Sequence, residues 1–163
     1  MDLALRYDPN TGEFDLAIDA ATGDFAREDT LSTVVMLSLM CDRLAQPHEV
    51  PVGDDRRGWW ADAFVTPSQD ASAADSFGSR LWLLAREKQT PATEQRLRGY
   101  IQEALQWLVE DGLAQTVTVT VFRPRIGWYS ALVDLQVRGD SRRYRFEWDT
   151  ATQALQLAGE AFQ

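Results

Sequence analysis

The stretch TVTVTVF, residues 116–122, decides the fold. Val117, Val119 and Val121 alternate with Thr116, Thr118 and Thr120, a period of two that belongs to a strand with one buried and one wet face. The same alternation returns twice downstream. Val133, Leu135 and Val137 interleave with Asp134, Gln136 and Arg138, and Tyr144, Phe146 and Trp148 interleave with Arg143, Arg145 and Glu147. GDS at 139–141 marks a turn, and ALQLA from Ala154 offers a fourth strand, so the sequence predicts an antiparallel meander with one apolar face.

Upstream of Gly112 the period is 3.6. Leu97, Ile101, Ala104, Leu105 and Leu108 form a helical stripe flanked by Tyr100 and Trp107. Thr90 is its N-cap, Pro91 its first residue and Gly112 its C-terminal stop. SRLWLLAREK, residues 79–88, reads as a short helix, and another runs from Leu31 to about Leu44 with Asp29 or Thr30 as N-cap. Between Val34 and Cys41 that helix is apolar on nearly every side, so more than one neighbour should cover it, another chain being one source of cover.

At the amino terminus, Leu3, Leu5 and Tyr7, the turn DPNTG, and Phe14, Leu16 and Ile18 read as a hairpin. The expected architecture is α+β: an N-terminal hairpin and two to three helices packed on a C-terminal antiparallel β-meander. At 163 residues the chain suits one domain, 1–163, made of the hairpin (1–28), an irregular loop (46–79) and the helix plus meander (80–163).

Sixteen basic against twenty-five acidic residues give a net charge of −9, which disfavours nonspecific binding to nucleic acid or an anionic membrane and favours protein partners. Cys41 is alone, so no intramolecular disulfide forms and a reducing compartment suffices. MDLALRYDPN has neither a basic nor an apolar signal region, and the run Val34–Cys41 is too short to span a bilayer, so neither export signal nor membrane anchor is expected.

Residue types for chemistry are scarce. His48 is the single histidine, which leaves Cys41 with His48 as the one conceivable thiol dyad, and burial of Cys41 would make its thiol inert. Asp54, Asp55, Asp62 and Glu110 or Asp111 could supply an acid and base pair for glycoside hydrolysis if the fold brought them together. Neither GxxxxGK[ST] nor GxGxxG is present, so no cofactor is expected.

DDRRGWWADAF, residues 54–64, is the other unusual stretch. Trp59 and Trp60 have three open roles: filling the core, stacking on a sugar or base, or anchoring a protein interface, where tryptophan and arginine are enriched. Arg56 and Arg57 suit carboxylates, either Asp54, Asp55 and Asp62 nearby or acidic groups on a partner.

In order, the helix ending MCDRLA, then DRRGWWAD, GSRLWLL and the helix QRLRGYIQEALQWLVEDG resemble the baseplate proteins of Mu-like contractile-tailed phages. The wider relatives are the gpW/gene 25-like wedge and sheath-initiator proteins. The likeness extends over roughly Leu3 to Leu157. A Glu-Pro-Arg triplet that often follows the long helix in the wider family is replaced here by Glu110, Asp111 and Gly112, so contacts of that triplet do not carry over.

The resemblance implies a structural, non-enzymatic subunit of the virion tail baseplate, assembled in the host cytoplasm and present in six-fold copies. Its implied partners are baseplate J-like wedge proteins, the tail sheath subunit, and tail tube or hub proteins. Sharing strands with the first sheath ring would seed sheath assembly. The edges Thr116–Phe122, with Thr116, Thr118, Thr120 and Phe122, and Ala154–Ala158 are the candidate docking strands, with Trp107 as a further interface residue. A tail-associated peptidoglycan hydrolase using paired carboxylates, or a carbohydrate-binding module using the tryptophans, are the competing functions.

On this reading Gly58 permits a tight turn, one of Trp59 and Trp60 fixes the loop to its domain, and the other, with Arg56 and Arg57, faces a wedge partner. Replacing each tryptophan separately by alanine should give one variant without soluble folded protein and one that folds but does not enter a baseplate. Normal folding and assembly of both would refute the assignment.

Overall fold

The computed structural model describes residues 2–8, 13–28, 31–58, 77–85, 87–152 and 155–162. Strands β5 (Thr116–Arg125), β6 (Trp128–Val137), β7 (Asp140–Asp149) and β8 (Leu155–Phe162) form one antiparallel sheet in sequence order, the meander that the alternation predicts. Register places Val119 beside Val133, Val133 beside Tyr144 and Phe146 beside Leu157. One face is therefore continuous apolar surface. Val117, Val119, Ala131, Val133, Leu135, Tyr144, Phe146 and Trp148 on it are all buried.

Helix α2 (Pro91–Leu105) covers that face. Thr90 is extended and its hydroxyl accepts the Thr93 N–H at 3.1 Å, while Pro91 occupies a first-turn position that has no helical N–H partner to lose. Leu97, Ile101, Ala104 and Leu105 are buried along the predicted stripe, and Leu108 of α3 (Trp107–Glu110) continues it. Full burial of each large side chain contributes about 1.5–3 kcal/mol.

The long helix expected through to Gly112 is divided. At Gln106 the backbone bond goes to Glu103, three residues back, which tightens the turn between α2 and α3. The indole N–H of Trp107 then reaches Ser38 Oγ at 3.1 Å. Gly112 does end the run, its N–H bonded to the Val109 carbonyl.

Two other boundaries move. Helix α1 spans Ser32–Met40 with Leu31 at its cap position, so it starts later and ends about four residues earlier than the sequence suggests; Asp29 and Thr30 lie outside the described residues. It stops because Cys41 turns extended and its carbonyl accepts the Ser79 N–H at 2.8 Å, while the Arg43 N–H donates to Ser79 at 2.9 Å. In place of the helix expected over 79–88, the described residues hold a 3-10 turn, Leu81–Leu84, buried through Leu81 and Leu84, with the Ala85 N–H bonded to the Trp82 carbonyl.

The amino-terminal hairpin pairs β2 (Leu5–Asp8) with β3 (Glu13–Leu16), and β1 (Asp2–Leu3) pairs with β4 (Arg27–Glu28). Bonds from Ala4 N–H to Ala26, Ala17 N–H to Ala4 and Ala26 N–H to Ala17, each at 2.8–2.9 Å, knit these strands into one arm. Thr33 on α1 holds the arm: its hydroxyl donates to the Leu3 carbonyl at 3.2 Å and accepts the Leu5 N–H at 3.3 Å.

Ile101 is wholly buried between helix and sheet. Ile101→Ala should lower unfolding free energy by about 2–5 kcal/mol in urea titrations, since it loses transfer energy and leaves a cavity. A loss below about 1 kcal/mol would mean that this helix is not seated on the sheet.

Candidate protein-interaction site

Arg80 is the centre of a polar frame. Its guanidinium meets Glu49 at 2.6 Å and Glu103 of α2 at 2.5 Å, and lies 5.0 Å from the centre of the Tyr100 ring. Arg43 reaches the same Glu103 at 3.3 Å. The Arg80 and Glu49 side chains are only 18% and 14% exposed, so their attraction is less screened than that of a surface pair.

The frame continues through Trp82, whose indole N–H donates to the Arg43 carbonyl at 3.0 Å and whose ring carries the Arg57 guanidinium at 4.7 Å. Arg57 also pairs with Asp42 at 2.9 Å, and Arg56 donates to the Ala45 carbonyl at 2.7 Å. Both arginines thus have partners within their own chain.

These contacts pin the two feet of residues 59–76. On one side the Ala45 N–H bonds the Arg56 carbonyl at 3.0 Å, and on the other the Ser79 hydroxyl donates to the Leu39 carbonyl at 2.5 Å. Glycine is required at each foot. A Cβ on Gly78, at φ +99°, would stand 2.5 Å from the Cys41 carbonyl oxygen, and one on Gly58, at φ +115°, would stand 3.2 Å from the Leu44 side chain. Trp59 and Trp60, and Asp62, lie outside the described residues.

The sheet supplies a second kind of surface. β5 and β8 are its edges, each paired on one side only among the described residues. Thr116, Thr118, Thr120 and Phe122 alternate with the buried valines and are exposed, Phe122 at 41%. A groove of about 270 Å³ runs between α2 and β5, lined by Glu94, Gln95, Arg98, Val119, Thr120 and Val121. On the outer face Arg143 pairs with Asp134 at 2.5 Å, and the Ser130 hydroxyl is buried with no hydrogen-bond partner among the described residues. Trp107 is half-buried and tied to α1, a packing role that its helical spacing alone did not disclose.

The residues weighed for catalysis are dispersed. Cys41 is half-buried just past α1, and burial, then the neighbouring Asp42 charge, push its thiol up, away from the reactive thiolate. His48 is exposed in the turn 47–49. Asp54 and Asp55 are exposed in the segment before Gly58, whereas Glu110 and Asp111 are exposed at the end of α3. Among the described residues no group of three or more histidine, cysteine or acidic side chains is placed to hold a metal ion.

The class this geometry defines is an α+β module whose described surfaces offer open backbone edges and apolar side chains. The family model described as Phage protein GP46 matches residues 31–145, well over half the chain, and the chain belongs to that family. It is similar to the "Baseplate protein gp46" of Escherichia phage Mu, 42% identical over 129 residues that cover 78% of this chain and 81% of that protein. It is also similar to the "Mu-like prophage FluMu protein gp46" of Haemophilus influenzae, 34% identical over 125 residues covering 77% and 78% respectively.

The frame has a pH signature. Burial alone would push the Glu49 carboxyl up, but hydrogen bonds from Arg80 and the Gln46 N–H, with the Arg80 charge, outweigh it and hold the group below the usual carboxylate range. As pH falls, the unfolded chain takes up this proton first. The contribution is therefore complete above the ordinary value of 4.5 and is lost as pH falls through the lower folded-state value. Glu49→Gln should lower stability at neutral pH and flatten the acid limb of a stability–pH profile; an unchanged acid limb would contradict the frame.

Proposed function

We propose that this chain is a structural subunit of a contractile phage tail baseplate, which links the wedge to the first sheath ring and seeds sheath assembly by sharing strands. The observation that carries this reading is the open edge of β5, reinforced by family membership and the name borne by the Mu relative. An edge strand offers a row of N–H and C=O groups that an extended segment of another chain can complete, and backbone hydrogen bonds then give affinity without a dedicated side-chain pocket.

The threonines suit that task. Thr116, Thr118 and Thr120 keep the outer face polar, which limits indiscriminate pairing, while Val117 and Val119 beneath them anchor the strand in the core. The groove beside β5 leaves room for side chains of an added strand, with Glu94 and Arg98 of α2 at its wall. Arg56 and Arg57 act in this scheme by holding the foot of the 59–76 segment, from which Trp59 or Trp60 reaches a wedge protein. Partners are J-like wedge proteins, the sheath subunit and tube or hub proteins, around a six-fold ring.

Thr118→Pro and Val119→Pro separate inward from outward edge groups, because successive N–H groups point to opposite sides of the strand. The variant whose N–H points toward β6 should unfold. The other should fold, yet fail to enter tails when it replaces the wild-type chain in a producing phage. Normal contractile tails built with the folded proline variant would refute strand sharing at β5. Purified chain incubated with peptidoglycan should release no fragments, and measurable turnover would favour the hydrolase instead.

A further inference from the structure

We propose that copies of this chain associate head to tail, the tip between β5 and β6 of one copy docking on the apolar face of the amino-terminal arm of the next. The tip, Phe122 to Gly127, presents Phe122 at 41% and Ile126 at 97% exposure, with Arg125 beside Ile126 and Arg123 paired with Glu94 of α2 at 3.5 Å. It is firmly held. The Gln89 side chain accepts the Gly127 N–H at 2.9 Å and donates to the Trp128 carbonyl at 3.1 Å, while the Thr150 N–H bonds the Gly127 carbonyl at 2.9 Å. Arg125 is stacked 4.2 Å from the Trp128 ring centre. An isoleucine held in water by a braced turn is ready to bury itself without first ordering a loop.

The arm offers the complement. Alternation and pairing place Leu3, Leu16, Ile18 and Phe25 on one face, since Leu16 lies opposite Leu5 and Ile18 opposite Phe25, with Arg27 opposite Leu3 at its margin. Of that face Leu5 packs into the core, whereas Leu3, Leu16, Ile18 and Phe25 remain 42%, 37%, 60% and 47% exposed. A contiguous apolar patch of this kind marks an interaction surface more than scattered single residues do.

Charge selects the occupant. Residues 2–28 carry seven acidic side chains against two arginines, whereas residues 116–149 carry six arginines against four acids, an inversion within a chain of net charge −9. Asp19 and Asp24 flank Ile18 and Phe25 at the arm's turn, next to where an approaching Ile126 would bring Arg125. Tip and arm match in both sign and apolarity, and every copy carries both. Because the two patches differ, the contact is heterologous and repeats from copy to copy, as ring assembly requires. It uses no backbone edge, so it stands apart from strand sharing.

Sedimentation velocity of the full chain over a range of concentrations tests this. Wild type should self-associate reversibly, about tenfold or more weakly at high ionic strength. Arg125→Glu and D19R/D24R, each checked for folding by circular dichroism, should be monomeric alone, and mixing the two should restore association. Ile126→Ser, at a fully exposed site, should weaken it without charge change. A wild type that stays monomeric, association that survives these substitutions, or a mixture that fails to re-form would each overturn the proposal. The folded β5 proline variant should keep this association, which separates it from strand sharing.

Discussion

The seating of the α2 stripe on the inner face of the meander is the interaction on which the rest of the structure depends. Leu97, Ile101, Ala104 and Leu105 meet a surface made by alternate residues of four strands, and the resulting core takes in Leu39 of α1 and Leu84 of the 3-10 turn as well. A helix of fifteen residues is marginal in water alone, and a single hairpin is no better. Each becomes stable by burying the face of the other.

That arrangement fixes what is left over for contact. With α2 covering one face, the meander order leaves β5 and β8 without second neighbours among the described residues. The polar frame around Arg80 has a different task. It fastens residues 45–58 and 77–84 to α2 through Glu49 and Glu103, so the feet of the intervening segment are held by the same helix that organises the core. Core and contact surfaces are mechanically joined.

The frame also alters how DDRRG is understood. Paired arginines beside paired aspartates suit either nearby carboxylates or a partner's acids, and in the fold Arg56 donates to the Ala45 carbonyl while Arg57 pairs with Asp42 and lies over the Trp82 ring. These contacts stabilise the base of the segment. The amino-terminal arm is the reverse case. Its hairpin was expected from alternation, yet only the placement of the arm shows that Leu5 reaches the core while Leu3, Leu16, Ile18 and Phe25 stay exposed.

What the sequence determined by itself was whatever depends on residues a few positions apart: the period of two in TVTVTVF, the helical stripe after Thr90-Pro91, the hairpin and the α+β class that follows from their order. Alternation and capping act within about four residues, so they can be read along the chain. The tertiary structure alone decided where α1 stops, why Leu81–Leu84 form a 3-10 turn, and which groups Arg80, Arg56 and Trp107 touch. Those outcomes rest on bonds between residues far apart, such as Arg80 with Glu49 across 31 positions and Trp107 with Ser38 across 69. Such partners compete with local helix bonds only once the core has brought them together, and no local pattern encodes that meeting.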